Sequence, residues 1–181
     1  SVTSAQALGN PYNKYMTLDP SPLGSPGGFL TPAAFANTIM DSHLGARDRM
    51  GRLITFVSRL VAPYSGPGSQ VFGCSGGVLG NAGARGIGLD VETALLVEWD
   101  PANQRYSGRR VTNAPAPPTE SSVYFVNVTQ GPTLCAAGKP LAIGASAVQI
   151  RKLSDSTTVI NLSDWTSFPI HRSVGVSSGV V

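Results

Sequence analysis

Asp41 to Arg52 reads D-S-H-L-G-A-R-D-R-M-G-R, placing one of only two histidines beside two aspartates and three arginines in a chain that is 13% charged. Just before it, Phe35, Asn37 and Ile39, with Ala36 and Met40, give the pattern of a buried strand running into Asp41. After it, Met50, Leu53, Ile54, Val57, Leu60 and Val61 recur with the 3.6-residue period of an amphipathic helix. His43 is therefore expected at the carboxyl end of a strand, immediately before a helix. In open α/β sheets that is the edge where ligands bind.

The arginines of this stretch have two readings. Arg47 and Arg49, two apart, do not share a helix face, whereas Arg52 and Arg59 fall on one stripe. Cations gathered beside a histidine at a strand end read as an anion pocket. They read equally as the solvated face of a helix with Asp48 as a local partner, His43 then being a hydrogen-bonded structural residue.

At 181 residues the chain is long enough for one domain with a substantial core. Net charge is +3, and the basic residues outside the central stretch are scattered without aromatic interleaving, so no nucleic-acid groove is expected. No apolar run approaches a membrane span and no signal-peptide pattern opens the chain, so no membrane partner is expected. Glycine (21) and proline (14) are abundant and the two cysteines lie far apart. That composition fits an extracellular or periplasmic protein with Cys74 bridged to Cys135, two ordinary thiols being the other reading. Neither cysteines nor histidines have metal-ligand spacing, and no metal or cofactor is expected.

From the beginning, Thr3-Ser4-Ala5 is a small-residue run opening a short helical stretch that Gly9 and Pro11 stop. A nucleophile elbow has this look, because its backbone turns sharply and the following helix aims amide dipoles at developing negative charge. Asp19 to Pro32 is a Pro- and Gly-rich loop, and Pro63 to Ala84 is a glycine-rich segment of the kind used as a lid or binding loop. Gly86 to Glu98 (G-I-G-L-D-V-E-T-A-L-L-V-E) reads as a turn, a short acidic loop and a strand. Asp90 and Glu92 sit where a third catalytic group would reach His43, or where turn and cap residues belong. Tyr106 to Thr112, Val123 to Val128, Leu141 to Leu153 and Thr158 to Leu162 read as antiparallel strands, with Asn113 to Glu120 a proline-rich connector.

Taken together, these motifs resemble the cyanophycinase group of serine peptidases. That family has a D-Q-H-F-x-x-R-x-R-x-x-R segment, here Asp41, His43, Arg47, Arg49 and Arg52, and a G-I-G-I-D-E-x-T-A segment, here Gly86 to Ala94. Its G-T-S-A-G-A nucleophile motif precedes the histidine by about the distance that separates Ser4 from His43. Val91 stands where the family has its His-orienting glutamate, Gln6 where it has a glycine, and Ser42 where it has a glutamine.

The resemblance implies a Ser-His-acid hydrolase on the C-terminal part of a doubly wound, mainly parallel sheet of the class I glutamine-amidotransferase type, with extra antiparallel strands. Ser4 would be the nucleophile, His43 the general base, and the Ala5 amide one half of an oxyanion hole. Glu92, one residue from Val91, would take over as the acid. Asp41, Ser42, Gln6, Asp90, Arg47, Arg49 and Arg52 would shape the pocket, an arginine pairing with a carboxylate of a peptide substrate. The family's earlier strands are not in this sequence, so a separate N-terminal fragment of one precursor is expected to complete the sheet, the cut falling before Ser1. A homodimer is a further expected assembly. Two rivals remain: a self-cleaving N-terminal-nucleophile amidase using Ser1 and its own amine, and an inactive relative that binds peptides.

Overall fold

Residues 2–16, 32–61, 83–113 and 121–181 are described in the structure, a computed structural model. Thr3 opens the first helix, α1 (Ser4–Gly9), with a reciprocal cap. Its hydroxyl accepts from the Gln6 amide at 3.4 Å while the Gln6 side chain accepts from the Thr3 amide at 3.1 Å. Of the run expected as a buried strand before Asp41, Phe35 lies in a 3-10 helix (Ala33–Phe35) and Asn37 has a left-handed backbone at φ +56°. The strand, β1 (Thr38–Ser42), therefore starts later and is half-buried rather than fully covered. The periodic run after it is α2 (Met50–Leu60), and the chain between them carries His43 as anticipated.

Helix α2 lies on β2 (Arg85–Leu89), and the contact explains the glycines of that strand. A Cβ on Gly86 would fall 2.6 Å from Val57 Cγ2, and one on Gly88 2.7 Å from Leu44 Cδ2. Gly86 to Leu89, expected as a turn, is therefore a strand whose glycines let a helix approach closely. A real turn follows at Asp90 to Glu92 and leads into the long hairpin β3 (Thr93–Asp100) and β4 (Arg105–Thr112). Then come β5 (Val123–Val128), β6 (Ile143–Leu153), the short β7 (Ile160–Asn161) and β8 (Arg172–Val176).

These strands form two sheets, one in the order β1-β2-β5-β6-β8 and one in the order β3-β4-β7. The class is α/β, but the mainly parallel sheet that was expected is mixed among the described residues: only β1 and β2 pair parallel, and the other pairs are antiparallel. Parallel pairing needs a crossover, and α2 supplies one between β1 and β2. The strand β8 was not anticipated.

Alternation along β5 divides the interior. Val126 and Val128 face Leu53, Ile54 and Val57 of α2, whereas Val123 and Phe125 face Ile160, Leu162 and Trp165 beneath the smaller sheet. The five-stranded sheet is thus the middle layer, with helices on one face and the β3-β4-β7 sheet on the other. The expected loops 19–32 and 63–84 and the connector 113–120 lie almost wholly outside the described residues, as do Ser1 and Cys74. Cys135 is buried and disulfide-bonded. No helix among the described residues is long and apolar enough to cross a membrane.

Candidate functional site

The turn after β1 is anchored at Leu44, not at His43. Leu44 is buried and donates its amide to the Leu89 carbonyl at 3.0 Å, while its own carbonyl accepts from Arg49 N at 2.9 Å. His43 is thereby left exposed, with a left-handed backbone at φ +56°. Across from it, Glu92 is exposed and also left-handed at φ +52°, its carbonyl held by Asn113 N at 3.2 Å and Thr112 Oγ1 at 3.0 Å. Both residues line one cleft of about 560 Å³, which Ser42, Val91, Thr93 and Asn113 help to form. Among the described residues neither side chain has a hydrogen-bond partner.

Ser4 stands elsewhere. Its hydroxyl donates to the Asp48 carbonyl at 2.9 Å and accepts from Gly51 N at 2.8 Å. No side-chain bond caps α2 at its own N-cap, Arg49. Ser4 therefore caps that helix from outside, satisfying one of the amides a helix start leaves open. Gly51 permits the contact, since a Cβ there would lie 2.7 Å from that of Ser4. Ser4 does not line the cleft and makes no hydrogen bond to His43; Ala5 and Gln6 are exposed beside it on α1. Ser1 is outside the described residues.

The arginines divide by partner. Arg52 binds Asp41 with both arms of its fork, Nε donating to Oδ2 at 2.8 Å and Nη2 to Oδ1. Arg49 donates to the Ser42 carbonyl at 2.7 Å and stands 3.7 Å from Asp41 Oδ1. Burial, and then the charge of Arg52, hold the Arg49 guanidinium below its usual value. Two of the three cations thus neutralise Asp41 and tie β1 to α2. Arg47 is exposed and has no ion pair among the described residues.

Asp90 is buried at 4% exposure, and both its oxygens are used. Oδ1 accepts from Gly45 N at 2.9 Å and Oδ2 from Ser122 N at 3.1 Å. Burial raises the Tyr124 phenol, and the Asp90 charge adds to that rise. Sequence reasoning missed Arg110, a buried residue of β4 whose Nη1 donates to the carbonyl of Ser121 and, at 3.0 Å, to its hydroxyl. The available signal was the Arg109-Arg110 pair, of which strand alternation must turn one inward.

No protein-family model, curated protein or solved structure matches this chain.

Proposed function

We propose that this chain carries the catalytic residues of a serine-type hydrolase of the cyanophycinase kind, cleaving peptide or isopeptide bonds. His43 moves the proton, Glu92 is the acid beside it, and Ser4 is the nucleophile with the Ala5 amide as an oxyanion donor. One observation carries the reading: His43 and Glu92 both hold left-handed backbone, both are exposed, and both line the same cleft. Such backbone costs about 1 kcal/mol or more per residue and collects where a side chain must be presented in a particular direction. Ser4 Oγ already sits on an amide at the start of α2, where partial positive charge favours an alkoxide. Because Ser4 does not line the cleft, reaction on this reading requires its hydroxyl to leave the Asp48 carbonyl and the start of α1 to move toward His43. Arg47 is the cation left for a substrate carboxylate, because it is exposed and without an ion pair among the described residues while Asp41 occupies the fork of Arg52. The bonded Cys135 supports export to an oxidising compartment.

A second reading, a peptide-binding protein without turnover, is favoured by the two bonds that hold the Ser4 hydroxyl away from His43. Hydrolysis of α- and β-linked aspartyl peptides by wild type, Ser4→Ala, His43→Ala and Glu92→Gln separates the two. The hydrolase loses at least about a hundredfold in kcat with Ser4→Ala and with His43→Ala, and less with Glu92→Gln. Ser4→Ala also removes a helix cap, costing about 1 kcal/mol, so its assays are run well below its melting temperature. Peptide affinity without cleavage in the wild type leaves the binding reading.

A further inference from the structure

We propose that Asp90 is a positioning residue whose buried carboxylate fixes where His43 stands in the cleft. The proposal rests on the reading of His43 as the proton-transfer group. It arises from two tethers on the His43 turn and two bonds that fix Asp90 behind them. The Gly45 amide, two residues after His43, is held by Asp90 Oδ1 at 2.9 Å. The Leu44 amide is held by the Leu89 carbonyl at 3.0 Å, one residue before Asp90. Asp90 is itself fixed on its other side, where Oδ2 accepts from Ser122 N and its own amide donates to the Ser122 carbonyl, both at 3.1 Å.

Behind Ser122 stands Arg110. Its guanidinium holds Ser121, the preceding residue, from β4, so a buried cation orders the segment that orders the buried carboxylate. The line from Arg110 through Ser121 and Ser122 to Asp90, Gly45 and His43 crosses both sheets. Only a group with two acceptor oxygens fits its middle. An asparagine at 90, whichever way it is turned, sets its NH₂ against a backbone N–H, at Gly45 or at Ser122. Space is tight as well, because a Cβ on Gly45 would lie 3.2 Å from Asp90 Oδ1 and one of the two would have to give by a few tenths of an ångström. Asp90 accepts from backbone at both oxygens and makes no hydrogen bond to the imidazole ring among the described residues, so it acts on His43 through the chain.

The chain's two histidines make this measurable. His171 is exposed, and its amide pairs with the Ile150 carbonyl beside β8, away from the cleft. Full-length protein with ¹⁵N-labelled histidine is compared as wild type, Asp90→Asn and Gly45→Ala, the ring signals being assigned with His171→Gln. The expected result is that both variants shift or split the His43 ring signals while those of His171 stay. Turnover of whichever peptide the wild type cleaves falls about a hundredfold in Asp90→Asn, as misplacement of a reacting group by about 1 Å does, and less in Gly45→Ala, whose methyl asks for a shift of a few tenths of an ångström. Should Asp90→Asn collapse both histidines to unfolded values, Gly45→Ala, which keeps the carboxylate, decides alone. Unchanged His43 signals in a folded variant overturn the proposal, whether or not turnover is lost. His43 signals that move in a protein with no peptidase activity uphold the positioning and remove the hydrolase reading instead.

Discussion

His43 and Glu92 show what a single residue contributes to this site. Neither is glycine, yet both occupy left-handed backbone, so the turns around them hold a conformation their side chains oppose. The bonds that hold them come from neighbours, Leu44 and Gly45 on one side and Thr112 and Asn113 on the other. Asp155 shows the same economy away from the cleft. It accepts from the amides of Thr157 and Thr158 and from both their hydroxyls, forming the turn that leads into β7. Those bonds, the Thr158 amide first, draw its carboxyl down from 3.8 to about 2. A carboxyl whose folded value is depressed adds stability above its unfolded value, and that contribution fades as pH falls through the folded one. Wild type and Asp155→Asn, melted at a series of pH values, should therefore differ at neutral pH and converge between pH 3.8 and about 2. A gap that persists undiminished at the acid end would show that the turn does not depend on the charge.

Among the elements, α2 and β2 are coupled by the absence of side chains. Gly86→Ala puts a methyl 2.6 Å from Val57 Cγ2 and 3.0 Å from Leu53 Cδ1, both in the packed core, and should cost about 2 kcal/mol by overpacking. Gly9→Ala is the control, since nothing lies within 4 Å of its added methyl. Urea titration of the two proteins measures the difference, and equal midpoints would mean that α2 moves off the sheet without cost. The same glycines explain what was legible in the sequence. The 3.6 period of Met50 to Leu60 is local and gives α2 directly. Of the alternation before Asp41 only Ile39 and Met40 are in the strand, since Phe35 ends a 3-10 helix and Ala36 and Asn37 follow in a turn. Gly86 and Gly88 were misread because a glycine marks a turn or a close approach with the same letter. The later β-type runs were read as antiparallel and are so. The mainly parallel sheet was implied by the family resemblance alone, and only β1 and β2 pair that way among the described residues. Asp90 and Ser4 were picked out, but their partners Ser122, Gly45, Asp48 and Gly51 were not, since those contacts join segments distant in sequence.

At the scale of the whole molecule, the middle sheet has two interiors and the candidate site depends on both. The turn of His43 belongs to the helix side through Leu44, which packs with Leu53 and Val126. The turn of Glu92 belongs to the other side through β3, whose Leu95 and Val97 pack against Ile87 and Phe125. Strand β2 feeds both, turning Ile87 to one face and glycines to the other. If the faces fold as one unit, damage to either interior lowers a single transition. Leu53→Ala, in the helix-side core, should cost about 3 kcal/mol, and Phe125→Ala, in the other, about 4 kcal/mol. Both variants should unfold in one step with the wild-type dependence on urea, by tryptophan fluorescence and by far-ultraviolet circular dichroism alike. Trp165 lies edge-on to Phe125 at 5.1 Å, so fluorescence reports the Phe125 side directly. A Phe125→Ala protein that loses its fluorescence signal before its secondary structure would make the β3-β4-β7 layer a separate cooperative unit. Glu92 could then leave the cleft while His43 stayed, and the site would open and close with the stability of that layer.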